Sequence, residues 1–291
     1  MFLAASIFLG VAFPALSALC KPLLLPMVFL LFVFAILQVS FGDAALATFR
    51  GSAAWVILAW QLVALPLLML LLFGAYLDHE LVGFGVVALC SCAITATTAL
   101  SRMLGLNDAL ALVVGLIGSL LMPLPLYLFM RYGLGMEAVI DPLSYLLRVV
   151  LFIVVPFLLV YLFRAIASAN LDALVRQHVP TAVIVLLVLF GLAVMDGVQA
   201  LLLSNPWVVV SYVLFSFALS IAVQLVTRWA LAFLGARDAT TAALLCAYRN
   251  VGVIAAITGD SLGSNFLIFL GLWQLPMYTL PVLTKRFYRA Q

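Results

Sequence analysis

Apolar residues run through this chain in blocks of about twenty, separated by short polar breaks. About twenty apolar residues in helical conformation cross the hydrocarbon of a bilayer, and the breaks cut the sequence into ten such blocks. The first is expected over about Phe2–Cys20 and the second over about Pro22–Phe41, the short Cys20-Lys21 junction implying an antiparallel pair. Gly42-Asp43 and Arg50-Gly51-Ser52 precede the third, about Ala53–Phe73, and Asp78-His79-Glu80 precede the fourth, about Leu81–Met103. After Gly105-Leu106-Asn107-Asp108 comes the fifth, ending near Arg131; the sixth covers about Pro142–Phe163 and the seventh about Val179–Met195. Ser204-Asn205-Pro206, a turn signal, opens the eighth, which ends near Phe233. The ninth covers Ala239–Gly259 and the tenth about Leu262–Leu283.

Composition agrees with this division. The 291 residues are 68% hydrophobic and 8% charged, against roughly 45–50% and 25% for a soluble domain, which predicts an all-α polytopic membrane protein whose partner is the lipid bilayer. No polar stretch between blocks approaches the roughly 50 residues of a soluble domain. Cys20, Cys90, Cys92 and Cys246 lie in or beside apolar blocks with neither a disulfide framework nor zinc-site spacing, and no cofactor is implied. The apolar start, Met1 to Leu19, lacks the basic n-region of a signal peptide and is expected to be a retained span.

Charge orients the spans, so the net +3 describes topology rather than a nucleic-acid partner. Ten spans put both termini on one face. That face carries nine basic residues, Arg50, Arg102, Arg164, Arg176, Arg228, Arg237, Lys285, Arg286 and Arg289, against three, Lys21, Arg131 and Arg148, on the other. Basic residues collect on the cytoplasmic side, so both termini are expected there, as in the inner membrane of a bacterium. Arg249 belongs to neither face. A guanidinium at mid-membrane depth costs about 3 kcal/mol or more and marks a pathway or a binding site.

The break from Tyr132 to Asp141 divides the chain into residues 1–132 and 141–291, five spans each. Five is odd, so the second half enters the membrane from the opposite side, as in the inverted repeats of secondary transporters. In each half the fourth span is the most polar: Cys90–Ser101 in one, and in the other the block with Tyr248, Arg249 and Asn250 at its centre. Paired polar spans at matching positions point to a midplane site.

These residues also carry a family resemblance. Thr95–Ala111, TATTALSRMLGLNDALA, resembles the fourth-span motif of the bile acid:sodium symporter family, and Leu245–Val253, LCAYRNVGV, its ninth-span motif. Gln61 with Pro66, and Trp273-Gln274, are similar to its third and tenth spans. The resemblance covers nearly the whole chain. It implies ten helices in a panel and a core domain, spans four and nine broken and crossing at mid-depth, and organic anions as substrates. Arg249, Asn250, Thr97, Thr98, Gln61, Tyr248 and Gln274 are then the expected substrate contacts.

Departures from the family concern its sodium ions. The fourth-span pair is Thr97-Thr98, Ala111 and Gly115 stand at the fifth-span hydroxyl positions, Leu245 at the ninth-span carboxylate and Arg249 at a glutamine, and only Gln61 and Asn250 remain. Hard cations need oxygen ligands and are repelled by a guanidinium, so transport is expected not to depend on sodium in the usual way. Cys92-Ala93-Ile94 replace the small residues that break span four in the family. All ten carboxylates and both histidines, His79 and His178, fall at span ends or in loops, leaving no intramembrane proton relay and no catalytic constellation. Arg249 has two compatible readings: a fixed cation tied to Gln61 and helix carbonyls, or an anion contact. Two alternatives to the anion carrier stay open. One is a metalloid permease resembling arsenite efflux proteins, with Cys90 or Cys92 as the thiol; the other is a subunit or sensor that keeps the fold without transporting.

Overall fold

The computed structural model describes residues 2–39, 43–76, 80–92, 95–136 and 141–283. It is 89% helical, and no strand occurs among the described residues. The helices are α1 (Phe2–Ala12), α2 (Pro14–Leu37), α3 (Asp43–Arg50), α4 (Ser52–Tyr76), α5 (Glu80–Leu89), α6 (Thr95–Leu104), α7 (Asp108–Leu121) and α8 (Pro123–Gly133). There follow α9 (Pro142–Ile166), α10 (Ala169–Ala193), α11 (Val198–Ser204), α12 (Pro206–Ala230), α13 (Ala236–Ala247), α14 (Val251–Thr258) and α15 (Gly263–Leu283). Among the described residues, five helices are long and apolar enough to cross a membrane, or up to seven if each of two bent pairs is one span. Large apolar side chains stand exposed around the body, Leu71 at 75%, Leu203 at 80% and Trp229 at 82%, a surface that water would drive to aggregate and that hydrocarbon accommodates. The chain is therefore an all-α membrane protein.

Local chemistry sets many helix starts. Asn107 caps α7 by accepting from Leu110 N at 3.1 Å, and Ser168 caps α10. Asp141 caps α9 from just before Pro142, a pairing suited to a first turn that lacks partners for its N–H groups. Hydrogen bonds from Ser144, side chain and backbone, hold the Asp141 carboxyl below its ordinary pKa.

Several expected boundaries move. The Cys20-Lys21 junction is not a turn: α2 runs through it, and the break falls at Phe13, ahead of Pro14 at the first helical position. Pro22 cannot donate, and the chain accommodates it with one tight turn over Lys21–Leu23. Lys21, its side chain exposed, pairs with Asp196 at 2.7 Å. The seventh block begins at Ala169 rather than near Val179, so the exposed His178 sits within α10 instead of at its end. Asp43–Arg50 is a short helix rather than an irregular break, and the fifth block bends by 45° where Pro123 opens α8. Gly42, Asp78, His79, Ala93, Ile94, Glu137 and the tail with Lys285, Arg286 and Arg289 lie outside the described residues.

Residues of both halves share one core, from Ile7 and Val28 to Leu245 and Trp273. Prolines 66 and 156 each follow a widened, π-type turn, Trp60–Ala64 in α4 and Val150–Val154 in α9, the adjustment expected where proline removes a helical hydrogen bond. The first of these turns carries Gln61 into the interior.

Candidate functional site

Two helix interruptions meet inside the body. Between α13 and α14, bent by 44°, Tyr248, Arg249 and Asn250 leave the helical path, Tyr248 being extended at φ −94° and ψ 129°. Asn250 restarts the helix, its side chain accepting from Val253 N at 3.2 Å. In the first half α5 stops at Leu89 and α6 starts at Thr95, with Ser91 and Cys92 non-helical. Such interruptions strand backbone carbonyls in an apolar interior, where each unpaired group costs several kcal/mol by rough estimate.

Arg249 and Gln61 satisfy them. The Arg249 Nη1 donates to Leu89 O and to Ser91 O, both at 2.9 Å. Gln61 Nε2 donates to Ser91 O at 2.9 Å and, at a long 3.5 Å, to Leu245 O. The cation thus lies at the C-terminal, partially negative end of α5, where positive charge is favoured. Arg249 is 1% exposed, and its Nε and Nη2 have no hydrogen-bond partner among the described residues. Nor has it a carboxylate there: the ion pairs Lys21–Asp196 and Arg102–Asp108 among the described residues involve other cations, and both carboxylates stand at helix ends.

Beside this junction lies a cavity of about 500 Å³, in the range of small-molecule sites. Its walls are α2 from Val28 to Gln38, α10 from Pro180 to Phe190, the end of α15 and one face of α6. The rim residues Gln38, Met103 and Pro180 are exposed, while Val28, Phe190, Arg249 and Gln274 at the other end are buried. Gly252 closes that end: a Cβ there would stand 2.9 Å from Val28 Cγ2 and 3.4 Å from the Phe190 ring. Polar groups are few, namely Arg249, Tyr248, Asn250, Gln274, Tyr278 and Gln38. Gln274 Oε1 accepts from Tyr278 at 3.2 Å, whereas its Nε2 has no partner among the described residues.

Of the residues singled out by sequence, Tyr248, Arg249, Asn250 and Gln274 come together on the cavity wall. Gln61, Thr97 and Thr98 do not line it; Gln61 is held behind the wall by the Ser91 carbonyl, and on α6 the lining falls to Ala99, Leu100 and Met103 instead. Gln61 reaches Arg249 only through that shared acceptor, and Asn250 is occupied as a helix cap. Tyr278 was missed, although it stands one helical turn after Gln274 and so on the same face. The α10 wall, Val183, Leu187 and Phe190, carries no sequence signal because its whole block is apolar.

The thiols stand apart from the cavity. Cys90 Sγ donates to Val86 O at 3.3 Å, and Cys92 packs so closely on Gly118 that a Cβ there would collide with its sulfur. Neither these nor Cys246 lines the wall. No group of three or more His, Cys, Asp or Glu residues able to hold a metal occurs among the described residues.

What fold and site define is a helical membrane protein with a cation buried beside an apolar cavity. No protein-family model matches the chain, and a search of curated proteins finds no match.

Proposed function

We propose that this protein is a carrier for small organic anions, resembling the bile acid:sodium symporters but not driven by sodium. The observation that carries the reading is Arg249, buried without a carboxylate among the described residues, on the wall of an apolar cavity of about 500 Å³. One of its nitrogens is used on the carbonyls of Leu89 and Ser91. Two others, Nε and Nη2, are buried without a partner among the described residues; a carboxylate or sulfonate that displaces the side chains covering them would take both, so the fixed-cation and anion-contact readings hold together. The first turn of α14 also lines the cavity, and the partial positive charge of a helix start favours the same ligand. Sodium is poorly served: Leu245, Ala111 and Gly115 offer no side-chain oxygen, and a guanidinium donates into the carbonyls a cation would need. The wall contains no Asp, Glu, His, Cys or Ser among its described residues, so Arg249 is the charged group an entering ligand would meet there.

The same reading has ten spans in two inverted halves, with both termini in the cytoplasm of a bacterial inner membrane. Its support is the pairing of polar groups across the fold. Glu80 with Tyr212 and Asn265 joins ends that this topology puts outside, and Asp196, in the turn after α10 on that same side, takes Lys21 from within α2. Asn107 with Asp238, Arg237 with Leu106 O, and Arg164 with Val39 O join ends that it puts inside. A periplasmic reporter fused after Gln291 should be inactive.

The test is a thermal-shift screen of the purified protein against carboxylates, sulfonates and arsenite, in sodium and in choline. An organic anion should raise the Tm equally in both salts. A shift that needs sodium contradicts the sodium-independent reading, and the absence of a shift with every organic anion contradicts the carrier.

A further inference from the structure

Resting on that carrier reading, we infer that the protein is an obligatory exchanger, which returns across the membrane only with an anion bound. The reason is the charge state of the empty site. Arg249 is 1% exposed, and its hydrogen bonds among the described residues go to neutral carbonyls, those of Leu89 and Ser91. Its other close electrostatic neighbours are the thiols of Cys90, Cys92 and Cys246, which carry no charge while protonated. The empty site therefore holds one uncompensated positive charge, and the site loaded with a monoanion holds none.

Open at the rim marked by Gln38, Met103 and Pro180, the cavity brings water near the guanidinium, whose Nε and Nη2 stay out of contact with it. Alternating exposure requires a state closed to both faces, and there a wall made mostly of apolar side chains must meet across the site. Closing over a paired ion removes a neutral pair from water. Closing over the bare guanidinium removes that nearby water from a charge with no counter-ion and leaves it in a lower dielectric, the costlier process. Among the described residues no carboxylate lines the cavity to take over as an internal counter-ion. The barrier is thus lowered by the transported anion itself, and each outward passage requires an inward one. A symporter fills the same electrostatic need with mobile cations that can leave; here the cation is covalent and stays.

Liposomes containing the full chain, loaded with radiolabelled taurocholate, octanesulfonate or naphthalene-2-sulfonate, distinguish the modes. Efflux is followed into gluconate alone, then into gluconate plus the same unlabelled anion, with potassium and valinomycin throughout so that charge build-up does not limit net flow. External anion should accelerate efflux at least fivefold. A smaller acceleration of a protein-dependent efflux overturns the exchanger while leaving the carrier intact, and no protein-dependent flux of any of the three anions in either mode overturns both. Arg249→Lys keeps the charge and should keep the acceleration; loss of the acceleration with flux preserved counts against the inference. Where Arg249→Gln still folds and moves anion, its ratio should fall toward one, and a ratio unchanged from wild type overturns the role given to the cation.

Discussion

The two interruptions inside this protein are alike in form and opposite in charge. The one after α5 offers carbonyls, Leu89 O and Ser91 O, and its side chains Cys90, Ser91 and Cys92 are all buried and bear no fixed charge. The one after α13 offers a guanidinium. An acceptor-rich break facing a donor-rich break lets each solve the other's desolvation, and it places the surplus donors of Arg249 beside the cavity. Lys21 and Arg102 show the usual alternative, each spent on a carboxylate at a helix end. The contrast teaches that position in the membrane, more than residue type, decides whether a cation is consumed by structure or kept for a ligand.

Filling the cavity is the harshest way to break the comparison. Gly252→Val puts methyl groups where Val28 and Phe190 already stand. It should cost about 1–3 kcal/mol through overpacking and abolish the anion-induced rise in Tm, while Gly252→Ala does the same to a smaller degree. Next is Gln61→Leu, which removes a donor from Ser91 O but leaves Arg249 in place. Chemical denaturation should show a loss of about 1–2 kcal/mol with anion affinity within twofold of wild type; a large loss of affinity would move Gln61 from the supporting layer to the binding surface. Smallest is Asn250→Ala, which deletes the α14 cap. It should cost about 1 kcal/mol and weaken binding only as far as it loosens the turn that carries Arg249.

Much of the site was legible because a membrane-spanning block tolerates so few polar residues that each one is informative. Arg249 and its neighbours marked the break after α13, and Asn107 and Ser204-Asn205-Pro206 marked helix starts that the structure has. Charge misled at Lys21, read as a loop residue. A long aliphatic stem carries its ammonium to Asp196 without ending the helix. Asn250 lines the cavity, but its side-chain oxygen is engaged by Val253 N, which one-dimensional spacing does not separate from ligand binding. The cavity wall on α10 was invisible for a different reason. When every face of a helix is apolar, periodicity does not tell lipid from a partner helix or a pocket, and only the packed structure separates Val183 and Leu187 from the lipid-facing side.

Arg249 is proposed to anchor the anion, and calorimetric titration of wild type, Arg249→Gln and Arg249→Lys with the anion that most raises the Tm decides whether it does. Charge-assisted hydrogen bonds contribute roughly 1.5–3 kcal/mol, so Arg249→Gln should bind about ten- to a hundredfold more weakly while remaining folded. Arg249→Lys, which keeps the charge without the planar fork, should fall between them. Unchanged affinity in Arg249→Gln, with only a lower Tm, would contradict the account and leave the arginine as a structural cation between two broken helices.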